Sequence, residues 1–156
     1  MTAEAPIDAL LEGCDGRARS LRALRGRVVV LFWEAREHLE QNAALKRDLE
    51  SMVRGHAQDV VLLGVGDVRA LDLPVIRPIV RRAIADIAES IGHEILLDWR
   101  GALERPPISL RRGRSNVLVL DREGRPVLRA AGPLPEAARA DVLSTVMALG
   151  ERTLAA

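Results

Sequence analysis

The sequence predicts an α/β fold in which a mixed central sheet of about five strands is flanked by helices. Two kinds of segment alternate along the chain: short continuous apolar runs rich in valine, and stretches in which apolar residues recur every three or four positions. This alternation favours parallel strands joined by helical crossovers. A hairpin signal late in the chain adds an antiparallel edge, so the sheet is predicted to be mixed.

The strands are predicted from the apolar runs. The first run, residues 28–33, is unbroken and largely β-branched, as expected of a central strand buried on both faces. The predicted strands lie near residues 28–33, 60–65, 95–97, 117–120 and 127–129. Asp121 to Gly124 reads as the turn of a hairpin between the last two strands, and Pro126 favours the sheet edge for the returning strand.

Helices are predicted near residues 39–54, 78–91 and 136–149, where the apolar spacing is helical. Pro78 suits the first turn of the second helix, and Gly92 suits its end. With 156 residues and no linker or repeat, the chain is predicted to be a single domain over residues 1–156 with its core at about 20–149.

Bulk composition argues against two classes of partner. The net charge is only +1, which provides no general attraction for nucleic acid or membranes, and no aromatic residues interleave the basic ones. No apolar run approaches the roughly 20 residues that span a bilayer. The first residues lack the basic region of a secretory signal, so we expect a cytoplasmic protein, or a periplasmic one if the chain is a trimmed mature form.

Several motifs resemble the thioredoxin-like superfamily. Residues 24–33 (Leu-Arg-Gly-Arg-Val-Val-Val-Leu-Phe-Trp) are similar to the first core strand of redoxins of the TlpA and AhpC–TSA types, and residues 117–125 resemble their hairpin. Within that superfamily the chain most resembles the YtfJ-type proteins. The motifs that carry this narrower resemblance are residues 40–45, 78–81 and 115–121. The resemblance covers roughly residues 20–149 and implies a thioredoxin-like fold.

The resemblance also implies where redox chemistry would occur. In redox-active relatives a cysteine follows the first core strand at a helix N-terminus, where its thiolate is stabilised, and a cis-proline precedes the late strand. Here residues 34–41 contain no cysteine, and Ser115 stands at the proline position. Glu37, His38 and Glu40 occupy the degenerate active-site positions. These three residues could form an acid–base pair, but we favour the interpretation that they are ordinary solvated residues without a catalytic role.

The remaining chemistry-bearing residues do not form a recognisable catalytic motif. The single cysteine, Cys14, lies in a glycine-bounded turn upstream of the core, between acidic neighbours that would raise its pKa. The three histidines have no ligand spacing with Cys14, and neither a phosphate loop nor a nucleophile elbow is present. The sequence therefore predicts no catalytic residue, no metal and no cofactor.

Arginines form the last candidate site. Arg111, Arg112 and Arg114 precede the late strand, and Arg81 and Arg82 are predicted on the exposed face of the second helix. Guanidinium groups would suit an anion or an acidic protein partner. The alternative is a solvated loop in a chain whose 23 basic residues include only one lysine, Lys46.

Two functions remain open at this stage. One is a non-catalytic thioredoxin-fold protein, an interaction or accessory module that binds a protein partner through the former active-site end. The other is a thiol-dependent antioxidant or oxidoreductase of the redoxin type that uses Cys14. The cysteine-free window favours the first function, and neither the partner nor the oligomeric state follows from the sequence.

Overall fold

A seven-stranded mixed sheet forms the centre of the structure, a computed structural model that describes residues 3–56 and 59–151. The strands are β1 (Leu10–Glu12), β2 (Ala18–Ser20), β3 (Val28–Glu34), β4 (Val60–Asp67), β5 (Ile95–Asp98), β6 (Asn116–Leu120) and β7 (Pro126–Ala131). The helices are α1 (Ala43–His56), α2 (Arg77–Ile91) and α3 (Glu136–Glu151). Short 3-10 turns cover residues 21–24, 36–38, 69–71 and 102–104.

The strand order is β2-β1-β5-β4-β3-β6-β7. β3, β4 and β5 run parallel to one another, and the β3–β4 pair begins with Val28 opposite Val60. All other neighbouring pairs are antiparallel. The predicted α/β class, the mixed sheet and the parallel pairing of the first two predicted strands are therefore confirmed.

The predicted number of strands was too low. β1 and β2 were missed because each has only three residues and Leu11 alone among them is buried, which leaves no apolar run to detect. The start of α1 was also predicted too early. Residues 36–38 form a 3-10 turn and residues 39–42 form further turns, so the helix begins at Ala43.

Both faces of β3 are buried, as its continuous apolar run indicates. Val28, Val30 and Phe32 pack with α1 and α3. Val29, Leu31 and Trp33 face the opposite side, in a cluster with the N-terminal segment and with buried residues between 103 and 110. α2 packs against β5 beside these layers, with Val80 and Leu97 in a third, smaller cluster. Within the described residues, no helix is long and apolar enough to cross a membrane.

Candidate functional site

An acidic residue lies at or next to the carboxyl end of each parallel strand: Glu34 in β3, Asp67 in β4 and Asp98 in β5. The register places Glu34 opposite Gly66 and Asp67 opposite Asp98, so the three residues lie along one edge of the sheet. Ligands of open α/β sheets bind at this edge. None of these three residues is among the predicted site residues, although an acidic residue at the end of an apolar run is a signal visible in the sequence.

Glu34 is the centre of a buried polar network. Its side chain is only 7% exposed. The Ser115 hydroxyl donates to one carboxylate oxygen at 2.6 Å, and the Lys46 ammonium group donates to the other. Lys46 also donates to the Leu39 carbonyl at 3.0 Å and lies 5.3 Å from the centre of the Phe32 ring. The carboxylate is thus paired with a cation and hydrogen-bonded on both oxygens, as a buried charge requires.

Ser115 and Asn42 complete this network. The Ser115 N–H donates to Gln41 Oε1 at 3.0 Å, and its hydroxyl accepts from Asn42 Nδ2 at 3.0 Å. Asn42 Nδ2 also donates to the Gly132 carbonyl at 3.1 Å, and Asn42 Oδ1 accepts from the Leu134 N–H at 3.1 Å. Ser115 is fully buried and Asn42 is 2% exposed, so solvent does not reach this hydroxyl.

The other predicted active-site positions lie outside the network. Glu37 and Glu40 are exposed, and His38 is half-buried with an Nδ1 atom that has no hydrogen-bond partner. No hydrogen bond in the described part of the chain joins any of these three residues to Ser115. Among residues 3–56 and 59–151, the cis peptide bond joins Pro106 and Pro107 and does not involve Ser115.

A second network anchors the loop that follows β5. Asp98, which is 2% exposed, accepts from Trp33 Nε1 at 3.1 Å. It also accepts from the N–H groups of Arg100, Ala102 and Leu103 at 3.3, 2.8 and 3.3 Å. In each of these contacts an N–H group donates to the Asp98 carboxylate, which explains why an acidic residue can be buried here.

The guanidinium of Arg69 covers the outer side of this network, 5.5 Å from the Trp33 ring. Asp67 holds it through two hydrogen bonds of 2.9 Å, and Glu104 accepts a third. Asp67, followed by Glu104, raises the pKa of Arg69, and Arg69 lowers the pKa of Glu104. The loops after β4 and β5 are therefore tied together by charge.

The basic loop, defined as residues 111–114, is held from inside by Asn116. Asn116 Oδ1 accepts from the Arg111 N–H at 2.8 Å, and Nδ2 donates to the carbonyls of Arg111 and Arg114 at 2.7 and 3.0 Å. Asn116 is 1% exposed, whereas Arg111, Arg112 and Arg114 are all exposed. The backbone of this loop is therefore fixed while its charged side chains remain in solvent.

The two predicted arginine groups differ in their surroundings. Arg82 is exposed, as predicted, but Arg81 is half-buried and donates to Glu12 at 2.6 Å and 3.2 Å. This contact raises the pKa of Arg81. The prediction that both residues lie on the exposed face of α2 is corrected for Arg81, because the antiparallel β1, absent from the predicted sheet, brings Glu12 beside this helix.

Cys14 lies away from the Glu34 network. Its Sγ is half-buried and contacts the Ile95 carbonyl at 3.5 Å. Burial, then the charges of Glu94, Asp15 and Glu12, raise the pKa of the thiol. β1 and β3 are separated by β5 and β4, so the turn that carries Cys14 is roughly 14 Å from β3 across three strand spacings.

The described residues contain no group of three or more His, Cys, Asp or Glu side chains that could hold a metal ion. The acidic residues at the sheet edge are instead separated into two hydrogen-bonded networks, each with its own cation or backbone donors. The exposed part of the basic loop is one surface that this edge offers to a ligand.

Comparison with known proteins identifies the fold. No protein-family model and no curated protein sequence matches the chain. Solved structures do match, among them a DsbF homologue from Corynebacterium diphtheriae, with a TM-score of 0.68, 15% identity and coverage of 94% of this chain and 87% of that one. The exposed lipoprotein thioredoxin Etrx1 from Streptococcus pneumoniae gives a TM-score of 0.62, 20% identity and coverage of 92% and 100%.

A peroxiredoxin-like protein from Aquifex aeolicus is also similar, with a TM-score of 0.61, 14% identity and coverage of 96% of this chain and 88% of that one. These structures show that the chain has a thioredoxin-like fold. The predicted fold is therefore confirmed. At the end of the first core strand, where the resemblance implies a reactive cysteine, this chain has the network of Glu34, Asn42 and Ser115.

Proposed function

We propose that this protein is a non-catalytic thioredoxin-fold module that binds an acidic protein partner through the basic loop at the former active-site end of the sheet. The observation that carries the proposal is the support of this loop by Asn116, which leaves Arg111, Arg112 and Arg114 exposed on a fixed backbone. A binding loop that is already ordered loses less conformational entropy when a partner binds.

The neighbouring network supports a role without catalysis. The Ser115 hydroxyl is fully buried and is engaged as both donor and acceptor, so it is not available as a nucleophile. Glu34 is paired with Lys46 instead of facing a reacting group. Such complete satisfaction of polar atoms is the arrangement expected of a stable core.

The charges of the basic loop also suit a partner. Arg112 lies 3.4 Å from Glu104, but the two side chains are 64% and 39% exposed. Solvent screens an ion pair at such exposure and leaves it weak, so an acidic partner can replace Glu104 at little cost. Arg111 and Arg114 form no side-chain ion pair within the described residues. Guanidinium groups bind carboxylates in a bidentate geometry, which favours an acidic partner surface.

The alternative is a thiol-dependent antioxidant or oxidoreductase that uses Cys14. Its support is the thioredoxin-like fold shared with a thioredoxin and a peroxiredoxin-like protein. The surroundings of Cys14 disfavour it, because burial and acidic neighbours raise the pKa of the thiol and the thiolate is the reactive form.

Affinity capture tests the proposal. The tagged protein is incubated with a lysate of its source cells, and the captured proteins are identified by mass spectrometry and then purified for binding measurements. Replacing Arg111, Arg112 and Arg114 with alanine should weaken binding and leave the melting temperature nearly unchanged. Binding to the wild type should weaken as salt rises, since the Debye length is about 10 Å at 0.1 M.

A matched control removes the same charge elsewhere. Arg17, Arg22 and Arg27 are exposed, and the last two precede β3, at the end of the sheet opposite the basic loop. Their triple alanine variant should bind the partner like the wild type. Equal binding by the basic-loop variant would contradict the proposal, and unfolding of that variant would show that its arginines are structural.

For cellular location we propose the cytoplasm. A lone thiol without a disulfide partner suits a compartment that keeps thiols reduced. Cell fractionation followed by immunodetection should recover the protein with cytoplasmic markers, and recovery in the periplasmic or membrane fraction would contradict this location.

A further inference from the structure

The solvent side of α2 carries an apolar ridge. Ile79, Ile87 and Ile91 are 65%, 42% and 38% exposed, and Ala83, at the intervening position, is exposed as well. These residues recur at every fourth position, and such rows form the ridges through which helices pack against one another. Val80, on the inner side, already packs against β5. A continuous exposed ridge, unlike a single exposed isoleucine, indicates a contact surface.

Charges of both signs lie beside this ridge. Arg82 and Asp86 belong to the next row of side chains, and Glu89 follows on the same side of the helix. All three are exposed, and none of them forms an ion pair within the described part of the chain, whereas Arg81 is paired with Glu12. A purely acidic or purely basic partner would meet an unfavourable charge on this surface.

We propose that the α2 ridge binds α2 of a second copy of this chain in a two-fold symmetric dimer. Packing of two such ridges crosses the helices at about 50°. A two-fold axis between Ala83 and Ile87 reverses the second helix, so the small Ala83 of each copy lies opposite the larger Ile87 of the other.

The same axis makes the charges complementary. Along an antiparallel helix pair it places Arg82 about 3 Å in axial offset from Asp86 of the second copy and about 1.5 Å from Glu89 of that copy. The two Asp86 residues also lie about 3 Å from each other in axial offset, and each of them has Arg82 of the other copy at the same offset. An arginine side chain reaches across such offsets, and the symmetry forms each contact twice. This self-complementarity selects a second copy as the occupant. The contact uses none of the residues of the basic loop, so it stands independently of the proposed partner.

Sedimentation velocity of the full chain over about 1 to 200 µM tests the dimer, a range chosen because weak interfaces have micromolar Kd values. The wild type should change from monomer to dimer within that range. Ile87→Glu should raise the Kd by at least about tenfold, because it places a carboxylate in the apolar contact. Met147→Glu is the matched control, since Met147 is 46% exposed on α3.

Charge reversal distinguishes a variant that has lost the dimer contact from one that has lost its fold. Arg82→Glu should raise the Kd, and the triple variant R82E/D86R/E89R should restore dimerisation because position 82 again faces charges of opposite sign at positions 86 and 89 of the second copy. Circular dichroism should show all variants folded. A wild type that stays monomeric, an Ile87→Glu dimer as tight as the wild type, or a triple variant no better than Arg82→Glu would overturn the proposal.

Discussion

Replacing Ser115 with alanine should destabilise the protein by about 3 kcal/mol. The change removes the 2.6 Å bond to Glu34 and the 3.0 Å bond from Asn42. A hydrogen bond to a charged group stabilises by about 1.5–3 kcal/mol, and a neutral one by about 1 kcal/mol. Asn42 keeps its bond to the Gly132 carbonyl, so most of the cost comes from the Glu34 carboxylate, which loses its donor while buried.

Urea unfolding followed by circular dichroism measures this cost. For a chain of this length, about 3 kcal/mol corresponds to a fall in melting temperature of about 6–12 °C. Ser144→Ala is the matched control, because the Ser144 hydroxyl lies on the exposed side of α3 and donates to the Asp141 carbonyl at 3.2 Å. That control should change stability by less than about 0.5 kcal/mol.

A double-mutant cycle tests whether the destabilisation of Ser115→Ala comes from its hydrogen bond to Glu34. Glu34→Met removes the carboxylate, so Ser115→Ala in that background should cost about 1–2 kcal/mol less than in the wild type. If Ser115 were retained for chemistry, its removal would leave stability unchanged or increase it. Unchanged stability of Ser115→Ala would therefore refute the interpretation of this network as part of the core.

Three further predictions concern other parts of the molecule. Asp98→Asn should lower stability by about 2–4 kcal/mol in urea unfolding, because the amide group would face N–H donors, including Trp33 Nε1, that now meet a carboxylate. Hydrogen bonds from Arg81, then Trp99, lower the pKa of Glu12 although burial opposes them, so this carboxylate stabilises the fold above its ordinary pKa and ceases to do so as the pH falls through the lowered value. Wild type and Glu12→Gln should accordingly differ most near neutral pH, approach each other as the pH falls below the ordinary glutamate pKa, and converge only below the lowered pKa, a trend that thermal melts across pH can check. Insulin reduction and peroxide consumption should stay at background, and Cys14→Ser should change neither; Cys14-dependent turnover at an enzymatic rate would favour the alternative function.

The strands that could be predicted are those whose buried residues form a continuous apolar run in the sequence. β3 has seven buried residues in succession, and its apolar run is visible without any knowledge of its neighbours. β1 is different, because its pairing with β5 consists of Glu12 opposite Leu97, residues far apart in the chain. The start of α1 depends on similar long-range contacts, since Asn42 is held by Ser115, Gly132 and Leu134.

The candidate site could be predicted only in part for the same reason. Ser115 was identified by its alignment with the proline position, and the cysteine-free window is visible in the sequence. Glu34 was not selected, because an acidic residue at the end of a strand usually lies in solvent. Its partner Ser115 is 81 positions away, and Asn42 and Ser115 are 73 apart, so no local pattern indicates that these side chains meet.

The residues of this network depend on one another physically. Proline at position 115 would provide neither the hydroxyl that donates to Glu34 nor the N–H that donates to Gln41. Glu34 would then remain buried with one oxygen unsatisfied, at a cost that the bond to Lys46 alone does not remove. Asn42 would likewise lose its hydroxyl acceptor. Introducing two-cysteine thiol chemistry here would therefore require more than cysteines at positions 37 and 40, because Glu34 must also change when proline replaces Ser115.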